Sequence, residues 1–168
     1  RWRDLDHLIR SSRASLRIAF ADACSAGMLV TPKGLRVTAT IDPGEARGTA
    51  IFVATSSVEA ALESESLGGS FFTHYLVSGL RGAADSNGDQ RVTLAEAQAY
   101  ASAQTQNATS GWSPATQHPT YAVELAGQRE TVLTDLRRAD ATIVFGADIV
   151  GNVVVATRDG GAIEIGRA

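Results

Sequence analysis

The segment Gly48-Thr49-Ala50-Ile51-Phe52-Val53-Ala54-Thr55 constrains the fold of this chain more than any other. It is a near-continuous apolar run of strand length without polar alternation, the pattern of a strand covered on both faces. A shorter run, Leu16-Arg17-Ile18-Ala19-Phe20, reads as a second strand and is expected to lie parallel to it. Trp2, Leu5, Leu8 and Ile9 fall on one face at spacings of three and four, which predicts an amphipathic helix over residues 2–13.

The remaining periodicities place helices after the long strand. Phe71, Phe72, Tyr75, Leu76 and Leu80 repeat with helical period, so residues 70–80 are predicted as a core helix. A second helix is predicted from Val92 to about Ala103, where Thr93 and Glu96 have the spacing of a capping box. Residues 27–48 and 104–119 are rich in Pro, Gly and polar residues and read as loops, the first with a possible short strand over Leu35 to Ile41. Tyr121 to Leu125 is predicted as the last strand of the main sheet. Beyond Gly127 the pattern is short apolar runs, 131–135, 141–145, 152–157 and 162–165, separated by charged or Gly-containing turns. The expected architecture is therefore α/β, a mostly parallel sheet flanked by helices over residues 1–127, followed by a small antiparallel β extension over 128–168.

Composition narrows the function. With 168 residues, 44% of them hydrophobic, the chain can bury one sizeable core. A formal net charge of −3 offers no general attraction to nucleic acid. No apolar stretch approaches the roughly 18 residues of a membrane span, and Arg1-Trp2-Arg3-Asp4 does not read as a signal peptide. A single cysteine excludes an intramolecular disulfide and suits a reducing, cytoplasmic setting.

That cysteine, Cys24, sits in Ala21-Asp22-Ala23-Cys24-Ser25-Ala26-Gly27, where the first strand gives way to a turn of small residues. The carboxyl ends of strands are where open α/β sheets carry their chemistry. A thiol there has room for a substrate carbonyl and suits a nucleophile. A lone cysteine is also a common small core residue. Asp22 and the nearby glycine turn favour the nucleophile, because an apolar core position seldom has such neighbours.

A second constellation is Asp85-Ser86-Asn87-Gly88-Asp89-Gln90-Arg91-Val92-Thr93-Leu94-Ala95-Glu96. Counting Asp85 as one, Asp85, Asn87, Asp89, Thr93 and Glu96 fall at positions one, three, five, nine and twelve, the EF-hand calcium spacing. Position six, where glycine is needed for the sharp turn, is Gln90. The segment reads either as a calcium loop or as a solvated turn before a capped helix.

Several segments together resemble the caspase-like cysteine proteases, most closely the metacaspases and bacterial caspase homologues. They are Phe20-Ala21-Asp22-Ala23-Cys24-Ser25-Ala26-Gly27; Ala54-Thr55-Ser56-Ser57 with Glu63-Ser64; Leu67-Gly68-Gly69-Ser70-Phe71-Phe72-Thr73; Gly79 through Asp85; and Gln117-His118-Pro119. The resemblance covers residues 5 to about 125. It implies a Cys-His dyad that cleaves peptide bonds by acyl transfer, with Cys24 as nucleophile. It also implies a histidine about 50 residues before the cysteine, whereas 23 residues precede Cys24 here. The expectation is that an N-terminal fragment of the same protease carries that histidine. His7, His74 and His118 each read more readily as surface or partly buried polar residues.

In metacaspase-like enzymes, the residue matching Asp22 lines the primary pocket and favours Arg or Lys before the cleaved bond. Glu59 matches a second acidic pocket residue more loosely and reads equally as an exposed loop charge. The loop from Gly27 to Gly48, with Lys33, Arg36 and Arg47, lies where such enzymes are processed, so proteolytic activation is expected. No cofactor is required by this chemistry, and protein or peptide substrates are the expected partners, with neither nucleic acid nor membrane. The competing expectation is a catalytically inactive caspase-like module with an assembly or regulatory role.

Overall fold

A computed structural model describes residues 2–24, 26–30, 46–57, 59–65, 67–111, 116–127 and 130–138, together with the backbone of 153–156 and 162–165. Helix α1 (Trp2–Ser11) leads into strand β1 (Leu16–Ala21), and the long apolar run forms β2 (Arg47–Val53). The two strands are parallel, with Ile18 opposite Ala50 and Phe20 opposite Phe52. Strand β6 (Thr120–Ala126) pairs antiparallel on the other side of β2, with Phe52 opposite Tyr121. The sheet order is β1-β2-β6, so among the described residues β1 pairs with β2 alone. The fold is thus mixed α/β, with parallel and antiparallel pairing in one sheet.

The even spread of apolar residues along β2 follows from its central place. Ala50, Phe52 and Ala54 face a core made with Phe72, Leu76, Val92, Leu94, Ala97 and Ala101. Ile51 and Val53 face the opposite way, onto Ala26 and Leu29, with Trp2 and Ile9 of α1 packed alongside. Helices therefore cover both faces, which removes the alternation a one-sided strand would show. Arg10 of α1 also reaches Glu124 of β6 at 2.8 Å. Both side chains are solvent-exposed, so this pair contributes little.

Helix α2 (Phe71–Ser78) begins at Ser70, whose side chain accepts from the Thr73 backbone N–H. It continues into a wider turn over Gly79–Ala83, broken at Gly82, where φ is +125° and a Cβ would stand 3.2 Å from Leu136. A two-strand ribbon, β3 (Glu63–Ser64) with β4 (Gly69–Ser70), precedes α2. Strand β5 (Arg91–Thr93) leads into α3 (Leu94–Thr109), which carries the expected capping box. The Thr93 hydroxyl accepts from the Glu96 backbone N–H at 3.2 Å, and the Glu96 carboxylate accepts from the Thr93 backbone N–H at 3.0 Å. Thr93→Ala is expected to lower stability by about 1–2 kcal/mol in a urea titration.

Three expectations are revised. Helix α3 runs two turns beyond Ala103, because Ala97, Ala101, Thr105 and Thr109 recur every fourth residue on its buried side. The buried Thr109 hydroxyl is satisfied by donating to the Thr105 carbonyl at 2.7 Å, so a polar sequence remains helical. Residues expected to start a separate extension at 128 instead supply β7 (Val132–Asp135), which pairs antiparallel with β5. Leu133 and Leu136 pack on the core of α2 and α3. The first helix ends at Ser11 rather than residue 13.

Strands β8 (Val153–Ala156) and β9 (Ala162–Ile165) form an antiparallel pair, as the spacing suggested. The possible strand over 35–41 and the run 141–145 lie outside the described residues. Among the described residues no helix is long and apolar enough to cross a membrane.

Candidate active site

The parallel pairing of β1 and β2 brings both carboxyl ends to one side of the sheet. The antiparallel β6 brings its amino end there too. Pairing persists one step past the strands, where the Ala54 N–H donates to the Ala21 carbonyl at 3.0 Å. The Thr55 hydroxyl then donates to the Ala23 carbonyl at 3.4 Å, anchoring the residue before Cys24. Beyond it the chain enters a single 3-10 turn, Ala26–Leu29, in which Ala26 and Gly27 are buried. A Cβ on Gly27 would lie 2.2 Å from the Ser57 nitrogen and 2.3 Å from the Ser56 carbonyl carbon. Only glycine lets the turn after Cys24 press this closely on the backbone after β2.

Cys24 itself is an exposed free thiol. Two residues earlier, Asp22 is also exposed, and its Oδ2 accepts a hydrogen bond from the Thr73 hydroxyl in the first turn of α2. One carboxylate oxygen is therefore pinned to α2, two residues before Cys24 in the chain. Thr73 also lines a cleft of about 200 Å³ bounded by Gly68, Gly69, Ser70 and His74, with Arg81 at its far end.

Glu59 stands at the same sheet end but faces a different partner. Its Oε1 meets His118 Nδ1 at 2.9 Å, and its Oε2 accepts from the backbone N–H groups of His118 at 3.0 Å and Ser56 at 3.4 Å. Burial pushes the Glu59 carboxyl up, but the hydrogen bonds from the His118 backbone, the His118 ring and Ser56 outweigh it and hold the group below its ordinary value. It is therefore a carboxylate at neutral pH. Because the folded value is the lower one, the clasp adds stability above about pH 4.3 and loses it as pH falls through the depressed value. Both oxygens are in use. Glu59 is thus held by His118 and Ser56, and Asp22 by Thr73.

Gln117 carried no signal in the sequence beyond its place in Gln117-His118-Pro119. It is 1% exposed, and it binds the backbone at both Ala54 and Leu62. Of the other histidines, His7 lies on α1 and His74 on α2, the latter with its ring edge-on to Tyr75 at 5.1 Å.

The loop Asp85–Glu96 follows the sharp turn its spacing requires, with Gln90 taking φ +64° where glycine was expected. Its oxygens face backbone amides. Asp85 accepts from Gly88 and Gln90, Asn87 from Asp89, and Asp89 from Arg91. Glu96 is turned onto Thr93 and Ser86, and hydrogen bonding to Thr93 above all holds its carboxyl below the ordinary value. Among the described residues no group of three or more His, Cys, Asp or Glu side chains converges as a metal site. In this structure the Asp85, Asn87 and Asp89 side-chain oxygens accept from the loop's own backbone amides. Calorimetric titration decides its cation binding: saturable heat at or below about 1 mM calcium would assign the loop to the ion, and no heat would leave it a turn.

A groove of about 350 Å³, lined by Phe52, Leu94, Tyr121, Val123 and Leu125, lies along the α3 face of β6 rather than at Cys24. No protein-family model matches this chain, and neither the curated proteins nor the solved structures include a match. The functional reading therefore rests on the residues at the sheet end.

Proposed function

We propose that this chain is the nucleophile-bearing part of a caspase-like cysteine endopeptidase that cleaves after Arg or Lys. The observation that carries the reading is the exposed Cys24 thiol at the carboxyl end of β1, two residues from an Asp22 carboxylate pinned by Thr73. The histidine of the dyad comes from an N-terminal segment or chain, which would also extend the sheet at β1.

In this mechanism the external imidazole takes the Cys24 proton, and the thiolate attacks the scissile carbonyl carbon. Collapse of the tetrahedral intermediate breaks the C–N bond, and the departing amine takes the proton from the imidazolium. Water, deprotonated by the same imidazole, then attacks the thioester and releases the acid while Cys24 regains its proton. The chemistry needs no cofactor. Asp22 is the proposed partner of a P1 guanidinium or ammonium, through a charge-assisted contact with its carboxylate. Proteolysis within residues 27–48, at Lys33, Arg36 or Arg47, is the proposed activating step.

Arg- and Lys-terminated fluorogenic peptides test the reading on the assembled two-chain protein. Asp22→Asn removes the charge while keeping the shape, and it is expected to lower kcat/KM for an Arg-terminated peptide at least about 30-fold, the equivalent of about 2 kcal/mol. An unchanged preference for Arg would remove Asp22 from the pocket. Absence of any Cys24-dependent cleavage in the assembled protein would favour the non-catalytic module.

A further inference from the structure

Gln117 takes no part in the chemistry above, yet it is bonded to the segment after β2 at two points and to the end of α3. Its side-chain Nε2 donates to the Ala54 carbonyl at 2.8 Å, and its Oε1 accepts from the Leu62 N–H at 2.9 Å. Its own backbone N–H donates to the Thr109 hydroxyl at 2.9 Å, at the end of α3. The buried carboxamide thus binds both ends of the segment 54–62, and the backbone N–H of the same residue ties it to the end of α3. Inside that segment, Thr55 holds the Ala23 carbonyl, Ser56 and Ser57 pack against Gly27, and Ser56 supplies an N–H to Glu59. The next residue, His118, holds Glu59 from the other side.

We propose that Gln117 is a positioning residue, which sets the Cys24 turn and the Glu59 carboxylate relative to each other by clamping Ala54 and Leu62. Apolar packing could close a loop of this length, but it would not fix its direction. A donor and an acceptor on one planar group impose distance and angle at both ends. Misplacement by about 1 Å costs a catalytic site on the order of 10²-fold. The proposal rests on the peptidase reading only for its kinetic readout.

Three variants test it. Gln117→Met keeps the volume and removes both side-chain bonds. Gln117→Glu, when ionised, keeps the acceptor for Leu62 and loses the donor to Ala54. Thr109→Val removes the anchor on α3. In folded Gln117→Met, exchange of the Leu62 amide is expected to accelerate at least about tenfold while the Ile51 amide stays protected. Alkylation of Cys24 by iodoacetamide should change at least about threefold, and kcat/KM of the assembled protein for an Arg-terminated peptide should fall about tenfold. The activity of Gln117→Glu relative to wild type should recover as pH falls and the carboxyl regains a proton to donate. Wild-type Leu62 exchange and wild-type Cys24 alkylation in folded Gln117→Met would overturn the proposal. So would failure of all three variants to fold, which would make Gln117 a folding residue. If wild type shows no Cys24-dependent cleavage, the peptidase reading alone falls, and the exchange and alkylation measurements still decide the role of Gln117.

Discussion

Cys24→Ala is expected to lower cleavage of Arg-terminated peptides by the assembled protein by about 10⁴-fold or more, because removal of a nucleophile leaves only binding and oxyanion stabilisation. The thiol is exposed and makes no hydrogen bond among the described residues, so its loss should leave stability within about 0.5 kcal/mol of wild type. Activity and a thermal melt on one preparation check both halves. Activity undiminished by the substitution would end the peptidase reading, whatever the fate of the fold.

The largest effect on stability is expected at Phe52. It is 3% exposed, and its ring stacks between Phe20, centroids 5.2 Å apart, and Tyr121 at 6.1 Å, so one aromatic row runs across all three strands. Below it lie Phe72, Leu76 and Leu94, with Ala50 and Ala54 too small to fill a void. Phe52→Ala should cost about 3–5 kcal/mol in a urea titration. That is a large share of the roughly 5–15 kcal/mol that holds a domain together. Phe20→Ala, at the 38% exposed end of the row, should cost clearly less. Equal losses at the two positions would mean that the row is not buried as described.

Phe52 also shows why this part of the fold was legible. A strand buried on both faces must be apolar at consecutive positions, so β2 announced itself, and with it the helices on either side. The capping box at Thr93 and Glu96 was equally legible, because its hydrogen bonds lie within one turn and depend on spacing alone. The end of α3 was not. Thr105 and Thr109 read as loop residues until a buried surface is there to accept their methyl groups and a carbonyl to accept the Thr109 hydroxyl proton. Strand β7 was misplaced for a related reason: Val132–Asp135 carries a strand pattern, but nothing in it says which strand it pairs with.

The site divides along the same line. Cys24 and Asp22 were visible because they sit at the end of a strand that local pattern defines, and the turn that follows needs small residues. Glu59 and His118 are 59 residues apart in sequence, and Gln117 reaches 63 residues to Ala54. These contacts exist because parallel β1 and β2 end where antiparallel β6 begins. By itself the sequence determined strands β1, β2 and β6, the capping box of α3 and a cysteine two residues from a carboxylate at a strand end, all of them products of periodicity or near-neighbour spacing. Only the tertiary structure decided that Asp22 is held by α2, that Glu59 is taken up by His118, and that Gln117 clamps the loop between them. Each depends on strand order and direction, which no stretch of local sequence encodes.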